Sequence, residues 1–270
     1  MDLRPIGVFD SGLGGLTAVT ALRELLPEED IVYFGDTARV PYGTKTVPTL
    51  RKLARQNMEL LARYDVKAIL AACGTVSCTA PDVLESFPIP VFNVVDAAVN
   101  KMAALPGGSP LGVIATQTSI QSGVFAGKIA KLCPGREIIA LPCQDFVRII
   151  EGGHTDASDP LVIECVEKSL SPLKGREISA LLLGCTHFGY LSEAIRAYLG
   201  SEIELVSASR CAAESLAAYL SENALTGGHK KITCLTSGER DSFVSLSSRF
   251  LGEDTAPFTV HIDTQELKKA

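Results

Sequence analysis

Two cysteines stand out because each closely follows a run of apolar residues. Cys73 comes directly after AILAA and Cys185 directly after ALLLG, and each has a threonine one or two positions later. A thiol at the start of a helix lies in the partial positive charge of the helix N-terminus, which favours the thiolate and lowers the pKa below about 8.5. We therefore predict that these two thiols are reactive. The remaining cysteines, interpreted as packing residues, are Cys78, Cys133, Cys143, Cys165, Cys211 and Cys234.

A glycine-rich loop at residues 10–15 begins with Asp10 and Ser11. Glycines allow backbone N–H groups to approach a ligand, and the helix predicted next would favour a carboxylate or phosphate at its N-terminus. An ordinary turn capped by Asp10 explains the same residues equally well. The loop is not a dinucleotide fingerprint, because Thr17 stands where that motif needs its last glycine.

His187 lies two residues after Cys185 and is suited to act on that thiol as acid, base or orienting group. A second polar loop at residues 36–43 contains Tyr42, although a proline-led turn also accounts for it. No metal site is predicted, because the chain has no Cys-x-x-Cys pair and its 4 histidines are scattered. No phosphate-binding Walker loop or serine-centred elbow is present either.

The composition limits the class of protein. The 270 residues are 46% hydrophobic and 21% charged, with a formal net charge of -6. These values exclude disorder or a coiled coil for the whole chain, and without basic runs no nucleic-acid surface is expected. The apolar stretches are far shorter than the roughly 20 residues of a membrane span, and no secretory pattern opens the chain. With 8 cysteines interpreted as reduced thiols, we expect a cytoplasmic protein.

Short apolar runs alternate with longer amphipathic ones, which is typical of an α/β fold whose parallel sheets are covered on both faces. The predicted strands are residues 6–9, 30–34, 68–72, 91–94, 111–115, 137–140, 180–183, 231–235 and 258–262. The predicted helices are residues 16–26, 49–63, 160–173, 211–220 and 240–251. Asp159 and Pro160 predict the N-cap and first turn of the third helix.

The chain repeats part of its own pattern. GVFDS at residues 7–11 resembles GVIAT at 112–116, and AACGT at 71–75 resembles LGCTH at 183–187. Two pseudo-symmetric α/β domains, with mainly parallel sheets, explain both repeats. We assign residues 1–100 with 208–270 to the first domain and residues 101–207 to the second. Because ligands of open parallel sheets bind beyond the carboxyl ends of the strands, all four loops are expected to face one cleft between the domains.

Several motifs, taken in order, resemble the landmarks of bacterial glutamate racemases over nearly the whole chain. They are IGVFDSGLGG at 6–15, DT at 36–37, PYG at 41–43, AACGTVS at 71–77, residues 116–122, IEG at 150–152 and LLLGCTH at 181–187. The resemblance implies an active site between two α/β domains and interconversion of L- and D-glutamate for peptidoglycan, without a cofactor or metal. It implies glutamate as small-molecule partner, no nucleic acid or membrane, and a homodimer as a candidate assembly.

By position, the resemblance makes Cys73 and Cys185 the two acid/base thiols. Asp10 would assist the first thiol. Glu151 and His187 would assist the second. The residues implied to hold the amino acid are Asp10, Ser11, Tyr42, Gly43, Gly74, Thr75, Thr118, Thr186 and His187.

The chain departs from the family pattern at three places. Gly74 stands where asparagine is usual. Phe188-Gly189 replaces tyrosine-proline, and Ser207-Ala208 replaces a late Asp-Ser pair. The first departure removes an amide contact to the substrate. We therefore expect glutamate to remain the substrate with a raised KM. A Gly74→Asn change should lower that KM if the loop keeps a conformation that asparagine can adopt, because glycine permits positive φ and asparagine tolerates it only in part.

The residues leave other functions open. Inversion of an α-carbon needs a base on one face and an acid on the other, which two opposed thiols provide. A racemase of another acidic amino acid, such as aspartate, would use the same pair. A hydrolase with Cys185 as nucleophile and His187 as base leaves Cys73 unexplained, and a single-thiol decarboxylase needs only one cysteine. A protein that only binds an acidic ligand in the cleft would show no turnover, and its binding would be unaltered when either cysteine is replaced.

Overall fold

The unbroken apolar runs form strands, and every strand pair within the described part of the chain is parallel. The computed structural model describes residues 1–251, so the strand predicted at 258–262 lies outside the described residues. The strands are β1 (Ile6–Asp10), β2 (Ile31–Gly35), β3 (Ala68–Ala71), β4 (Val91–Asn93), β5 (Leu111–Ala115), β6 (Ile138–Pro142), β7 (Ala180–Leu183), β8 (Glu204–Ser207) and β9 (Ile232–Thr236).

Helices connect the strands and cover both faces of the sheets. They are α1 (Leu16–Leu25), α2 (Val47–Ala62), α3 (Gly74–Thr79), α4 (Pro81–Glu85), α5 (Val94–Ala104), α6 (Gln117–Gln121), α7 (Val124–Leu132), α8 (Gln144–Glu151), α9 (Pro160–Leu170), α10 (Ser192–Leu199), α11 (Ala208–Glu222) and α12 (Arg240–Leu251). The predicted cap of α9 is confirmed, because the Asp159 carboxylate accepts the Leu161 N–H at 2.9 Å. The helix predicted to reach residue 173 ends as an α-helix at Leu170 and continues as a 3₁₀ turn.

The strands form two sheets with the same internal order. The first lobe contains the sheet β4-β3-β1-β2-β9, and the second lobe contains β6-β5-β7-β8. Reading β8-β7-β5-β6 against β4-β3-β1-β2 matches β5 to β1 and β7 to β3, as the sequence repeats predict. The α/β fold with two pseudo-symmetric halves is thereby confirmed.

Parts of the topology were not visible in the sequence. The edge strand β8 was not predicted, because only Val206 is buried in it and the apolar pattern is too short. The edge strands β4 and β6 are only half-buried, unlike the continuously buried strands that their apolar runs predicted. The returning strand β9 pairs with β2 and so extends the first sheet. Helix α5 spans residue 100, where the first domain was assigned to end.

One apolar cluster is shared by the two lobes. It contains inward-facing strand residues of both sheets, such as Val8 and Val113, together with buried residues of α1, α5, α7 and α11. Two further clusters cover the outer faces, one against α2 and α4 and the other against α8, α9 and α10. The shared cluster determines how the carboxyl ends of the two sheets face one another, and the site lies at that junction.

Candidate active site

The segments that follow six strands (β1, β2, β3, β5, β6 and β7) meet in one cavity between the lobes. Its empty volume is about 470 Å³. The lining residues are Asp10, Ser11, Val40, Pro41, Tyr42, Gly43, Cys73, Gly74, Thr75, Thr116, Ser119, Gln144, Val147, Glu151, Gly184, Cys185, Thr186 and His187. The structure therefore brings together both predicted thiols and, apart from Thr118, all of the side chains and glycines that the resemblance implied.

Cys73 follows β3 and caps the six-residue helix α3. Burial raises the pKa of the Cys73 thiol far above its usual value, and the negative charge of Asp10 raises it further. Hydrogen bonds from the Val76 N–H and the Ser11 hydroxyl oppose this shift without cancelling it. The expected lowering of the Cys73 pKa is therefore wrong, because desolvation outweighs the partial charge at so short a helix. This thiol holds its proton at neutral pH.

Asp10 ends β1 with a buried carboxyl group. Its Oδ2 accepts the Gly15 N–H at 2.8 Å, and the Ser11 hydroxyl lies 3.5 Å from Oδ1. Burial raises the pKa of Asp10, whereas the positive charge of His187 and the N–H groups of the loop lower it. The loop N–H groups therefore donate to the Asp10 carboxylate. This agrees with the interpretation of the glycine-rich segment as a turn capped by Asp10.

Cys185 precedes a 3₁₀ segment, Thr186–Leu191, instead of an α-helix. Its Sγ lies 3.7 Å from Nδ1 of His187, whose Nε2 lies 3.1 Å from Oε1 of Glu151 on α8. Burial by itself lowers the pKa of His187, but hydrogen bonds to Cys185 and Glu151 raise it well above its usual value. Electrostatic interactions with Cys185 and Asp10 add to this increase in the His187 pKa. A protonated His187 donates to the sulfur and the carboxylate together.

The loops of the two lobes touch at a glycine. A Cβ atom on Gly14 would lie 2.6 Å from Oγ1 of Thr186 and would overlap the His187 ring. Only a residue without a side chain lets the Asp10 loop approach the Cys185 loop this closely. This approach places the charge of Asp10 within reach of the His187 imidazole.

Tyr42 and Gly43 form one wall of the cavity. The Tyr42 hydroxyl donates to the buried carboxylate of Asp36 and accepts from Nδ2 of Asn57, 3.1 Å away. Thr118 does not line the cavity; its hydroxyl donates to the Gly43 carbonyl. Thr118 therefore holds the first-lobe loop against the second lobe.

Sequence reasoning placed the loop of Thr116 at the cleft but did not assign Thr116 or Ser119 to the site, although both line the cavity. Oγ1 of Thr116 lies 3.3 Å from Oγ1 of Thr75 and 2.9 Å from Oγ of Ser119, which joins hydroxyls of both lobes. Thr116 occupies the position in the repeat 112–116 that Ser11 occupies in 7–11. This match between Thr116 and Ser11 in the internal repeat is the sequence signal that indicates Thr116 as a lining residue.

Gly74 lies where the two post-strand loops cross. A Cβ atom at this position would lie 2.5 Å from the carbonyl oxygen of Gly184. Because the obstructing atom belongs to the backbone, no side-chain rotation relieves the overlap. The structure thus opposes the expectation that asparagine at this position would lower KM, since asparagine would separate the loops before its amide reached a substrate.

The other two departures from the family pattern have structural explanations. Phe188 is fully buried and packs edge-on against Phe146, with 5.1 Å between ring centroids. Ser207 caps α11, because its hydroxyl oxygen accepts the Arg210 N–H at 3.3 Å. Serine and aspartate are both favoured N-cap residues, so the cap is maintained.

The cavity carries little positive charge of its own. Within the described chain, its lining contains histidine but neither lysine nor arginine. Residues 1–251 contain no group of three His, Cys, Asp or Glu side chains able to hold a metal ion. No helix in the same range has the length and apolarity to cross a membrane. A ligand carboxylate in this cavity would therefore be bound by hydroxyls, backbone N–H groups and His187.

Fold and site together define a class: a pseudo-symmetric α/β protein that presents two thiols, one from each lobe, to a single cavity. A family model described as Asp/Glu/Hydantoin racemase matches residues 17–216. The chain belongs to this family. All eight of its cysteines are free thiols.

Relatives and solved structures support the same assignment. A glutamate racemase of Syntrophus aciditrophicus is 41% identical over 226 residues, which cover 83% of this chain and 83% of the relative. One from Thermoanaerobacter is 34% identical over 268 residues, covering 98% of this chain and 100% of the relative. The crystal structure of Francisella tularensis glutamate racemase in complex with D-glutamate has a TM-score of 0.87 and 39% identity, covering 97% of this chain and 98% of that one.

Proposed function

We propose that this protein is a glutamate racemase that interconverts L- and D-glutamate through two thiols, without a cofactor. One observation carries the proposal: Cys73 and Cys185, from opposite lobes, line the same cavity, and each has its own acid/base partner. A hydrolase or decarboxylase needs only one of these centres. The relatives that match most of the chain are glutamate racemases.

Racemisation requires that one thiolate remove the α-proton while the opposite thiol donates a proton to the other face. The two cysteines exchange these roles when the substrate has the opposite hand. Asp10 can hold and return a proton beside Cys73. His187, supported by Glu151, does the same beside Cys185. Each cysteine is thereby restored for the next turnover.

The negative charge that develops on the substrate during proton removal needs stabilisation. Backbone N–H groups after Cys73 and Cys185 are available for this purpose, because the first N–H groups of a helical segment have no partner within it. The lining hydroxyls of Ser11, Thr75 and Thr186 provide further donors. Inside the cleft, where both thiols and His187 are buried, these dipoles compete with less water than they would at the surface.

Glutamate is the substrate that the comparisons favour, since the Francisella tularensis relative was solved with D-glutamate. Production of D-glutamate for peptidoglycan is the corresponding biological role. A reducing cytoplasm would keep both thiols in their active form. Residues 1–100 with 208–270 and residues 101–207 remain our proposed domains, and a homodimer our candidate assembly.

The test uses purified protein with pure L- or D-glutamate in deuterated water and no added pyridoxal phosphate, nucleotide or metal. Circular dichroism should fall to zero from either enantiomer, with uptake of α-deuterium. Aspartate, assayed in parallel, should turn over much more slowly. A preference for aspartate would refute the substrate and keep the thiol mechanism, whereas activity lost to a chelator and restored by metal would refute cofactor independence.

A further inference from the structure

Thr17 on α1 lies where the Asp10 loop, the Cys185 loop and α11 meet. Its Oγ1 is 2.8 Å from the Gly14 carbonyl oxygen and 3.1 Å from the Thr186 carbonyl oxygen. It is also 2.8 Å from the hydroxyl oxygen of Ser209, which is 2% exposed. We call this arrangement the Thr17 junction. It connects the first lobe directly to the segment that carries the second thiol.

The Thr17 hydroxyl is the donor in this junction. A threonine hydroxyl carries one proton and two acceptor lone pairs. Both carbonyl oxygens can only accept, and the geometry at Ser209 makes Thr17 the donor to its hydroxyl oxygen as well. The three acceptors therefore share the single Thr17 proton. Ser209 thereby anchors the Thr17 hydroxyl to α11.

The hydrogen bond from Thr17 to the Thr186 carbonyl also restricts the orientation of the next residue, His187. The Thr186 carbonyl and the His187 N–H belong to the same planar peptide unit, so holding the oxygen fixes the plane from which His187 begins. His187 in turn places Nδ1 3.7 Å from the Cys185 sulfur. The Thr17 methyl group also faces Gly189, where an added Cβ would lie 3.7 Å from it.

We propose that Thr17, anchored to α11 through Ser209, is a positioning residue that orients His187 towards Cys185 from the opposite lobe. This inference rests on the proposed function, because it assigns a role in the same proton transfers. Thr17 and Ser209 do not line the cavity, so their effect on turnover passes through the Thr186–His187 peptide.

The first experiment compares Thr17→Val, Thr17→Ser and the control Thr20→Val on the same helix. Thr20 is exposed, and its hydroxyl donates to the Leu16 carbonyl within α1 at 3.1 Å. Thr17→Val should lower kcat about tenfold, the scale of a small misplacement of a catalytic group, while KM changes by less than about twofold. Thr17→Ser keeps the hydroxyl and should stay within about twofold of the wild type. Thr20→Val should match the wild type.

Two readouts separate positioning from a general loss of stability. In Thr17→Val the alkaline limb of the kcat/KM profile should move to lower pH, because His187 loses some of its contact with Cys185 and Glu151 while Asp10 remains. The alkylation rate of Cys185 by iodoacetamide, followed by peptide mass spectrometry, should change, while that of Cys73 should not. Alkylation does not require turnover, so it tests the junction even if glutamate is not racemised.

Ser209→Ala provides an independent variant, needed if Thr17→Val does not fold. It should lower kcat about threefold, and it should have no further effect in a Thr17→Val background. Additive effects of the two changes would overturn the proposal. So would a Thr17→Val enzyme with wild-type kcat, pH profile and Cys185 alkylation, or a Thr17→Ser enzyme as impaired as Thr17→Val.

Discussion

The two thiol centres occupy equivalent positions in the two lobes but have opposite electrostatic surroundings. Cys73 lies beside a carboxylate, Asp10, whose negative charge adds to burial in raising the thiol pKa. Cys185 lies beside His187, whose own pKa is raised by Cys185 and Glu151. The structure thus describes an enzyme form in which Cys73 holds a proton to donate and a protonated imidazole faces the Cys185 sulfur.

This difference shows how a repeated fold can provide an acid and a base. Each cysteine lies on a strand and loop that are repeated in both lobes. The acid/base partners of the two cysteines, in contrast, come from unrelated segments. Asp10 ends β1, and Glu151 ends α8. Within each centre, loss of the thiol should be the most damaging change and loss of the supporting carboxylate a milder one.

Loss of either thiol should be equally severe despite the asymmetry. We expect Cys73→Ser and Cys185→Ser each to slow racemisation at least about a hundredfold, the usual scale for removing a general acid or base. Each variant would still exchange the α-proton of the one enantiomer that its remaining thiol faces. Cys133→Ser, which alters a partly exposed thiol outside the cavity, is the control. Wild-type turnover in either cavity variant would rule out the two-thiol mechanism.

Asp10→Asn should slow racemisation about thirtyfold, because it removes a group that holds and returns protons. The Asp10 carboxylate raises the pKa of Cys73, so its neutral replacement should lower that pKa. Alkylation of Cys73, measured against pH, should therefore begin at lower pH in the variant. Asp156→Asn, at a carboxylate whose bonds are to Ser158, serves as control. An unchanged Cys73 profile would mean that burial alone sets its pKa.

Gly74→Asn tests the contact between the two centres. A side chain at this position would press on the Gly184 carbonyl and move the thiol loops apart, so we expect kcat/KM for glutamate to fall about tenfold, within the range that overpacking produces. Gly74→Ala should show most of the same loss. The control is Gly127→Ala, where an added Cβ contacts nothing within 4 Å. A lower KM in Gly74→Asn would instead restore the expectation based on the family pattern.

Glu151→Gln should have the smallest effect, about a threefold loss of kcat/KM at neutral pH. Because the Glu151 carboxylate raises the pKa of His187, glutamine should lower that pKa. His187 is protonated below its pKa, so activity that depends on its charge should then be lost at lower pH. The measurement is the alkaline limb of the kcat/KM profile, with the exposed Glu164→Gln on α9 as reference. If the alkaline limb of the kcat/KM profile did not move, Glu151 would have no role in setting the protonation of His187.

Local sequence patterns determined much of this molecule. Alternating apolar and amphipathic runs predicted the parallel strands that the structure contains, since burial on both faces demands continuous apolar side chains. The internal repeat placed Cys73 and Cys185 at matching strand ends, and the carboxyl ends of parallel strands define one side of a sheet. The sequence alone therefore assigns the thiol pair and Asp10 to a common cleft.

Only the tertiary structure decided how those groups behave. The pKa of Cys73 depends on burial and on Asp10, which is far away in sequence, so a rule about helix starts gave the wrong direction. Thr118 and Gly74 act through carbonyls of the opposite lobe, at Gly43 and Gly184. Contacts of this kind depend on how two lobes pack over a shared core, and a local pattern contains no information about that packing.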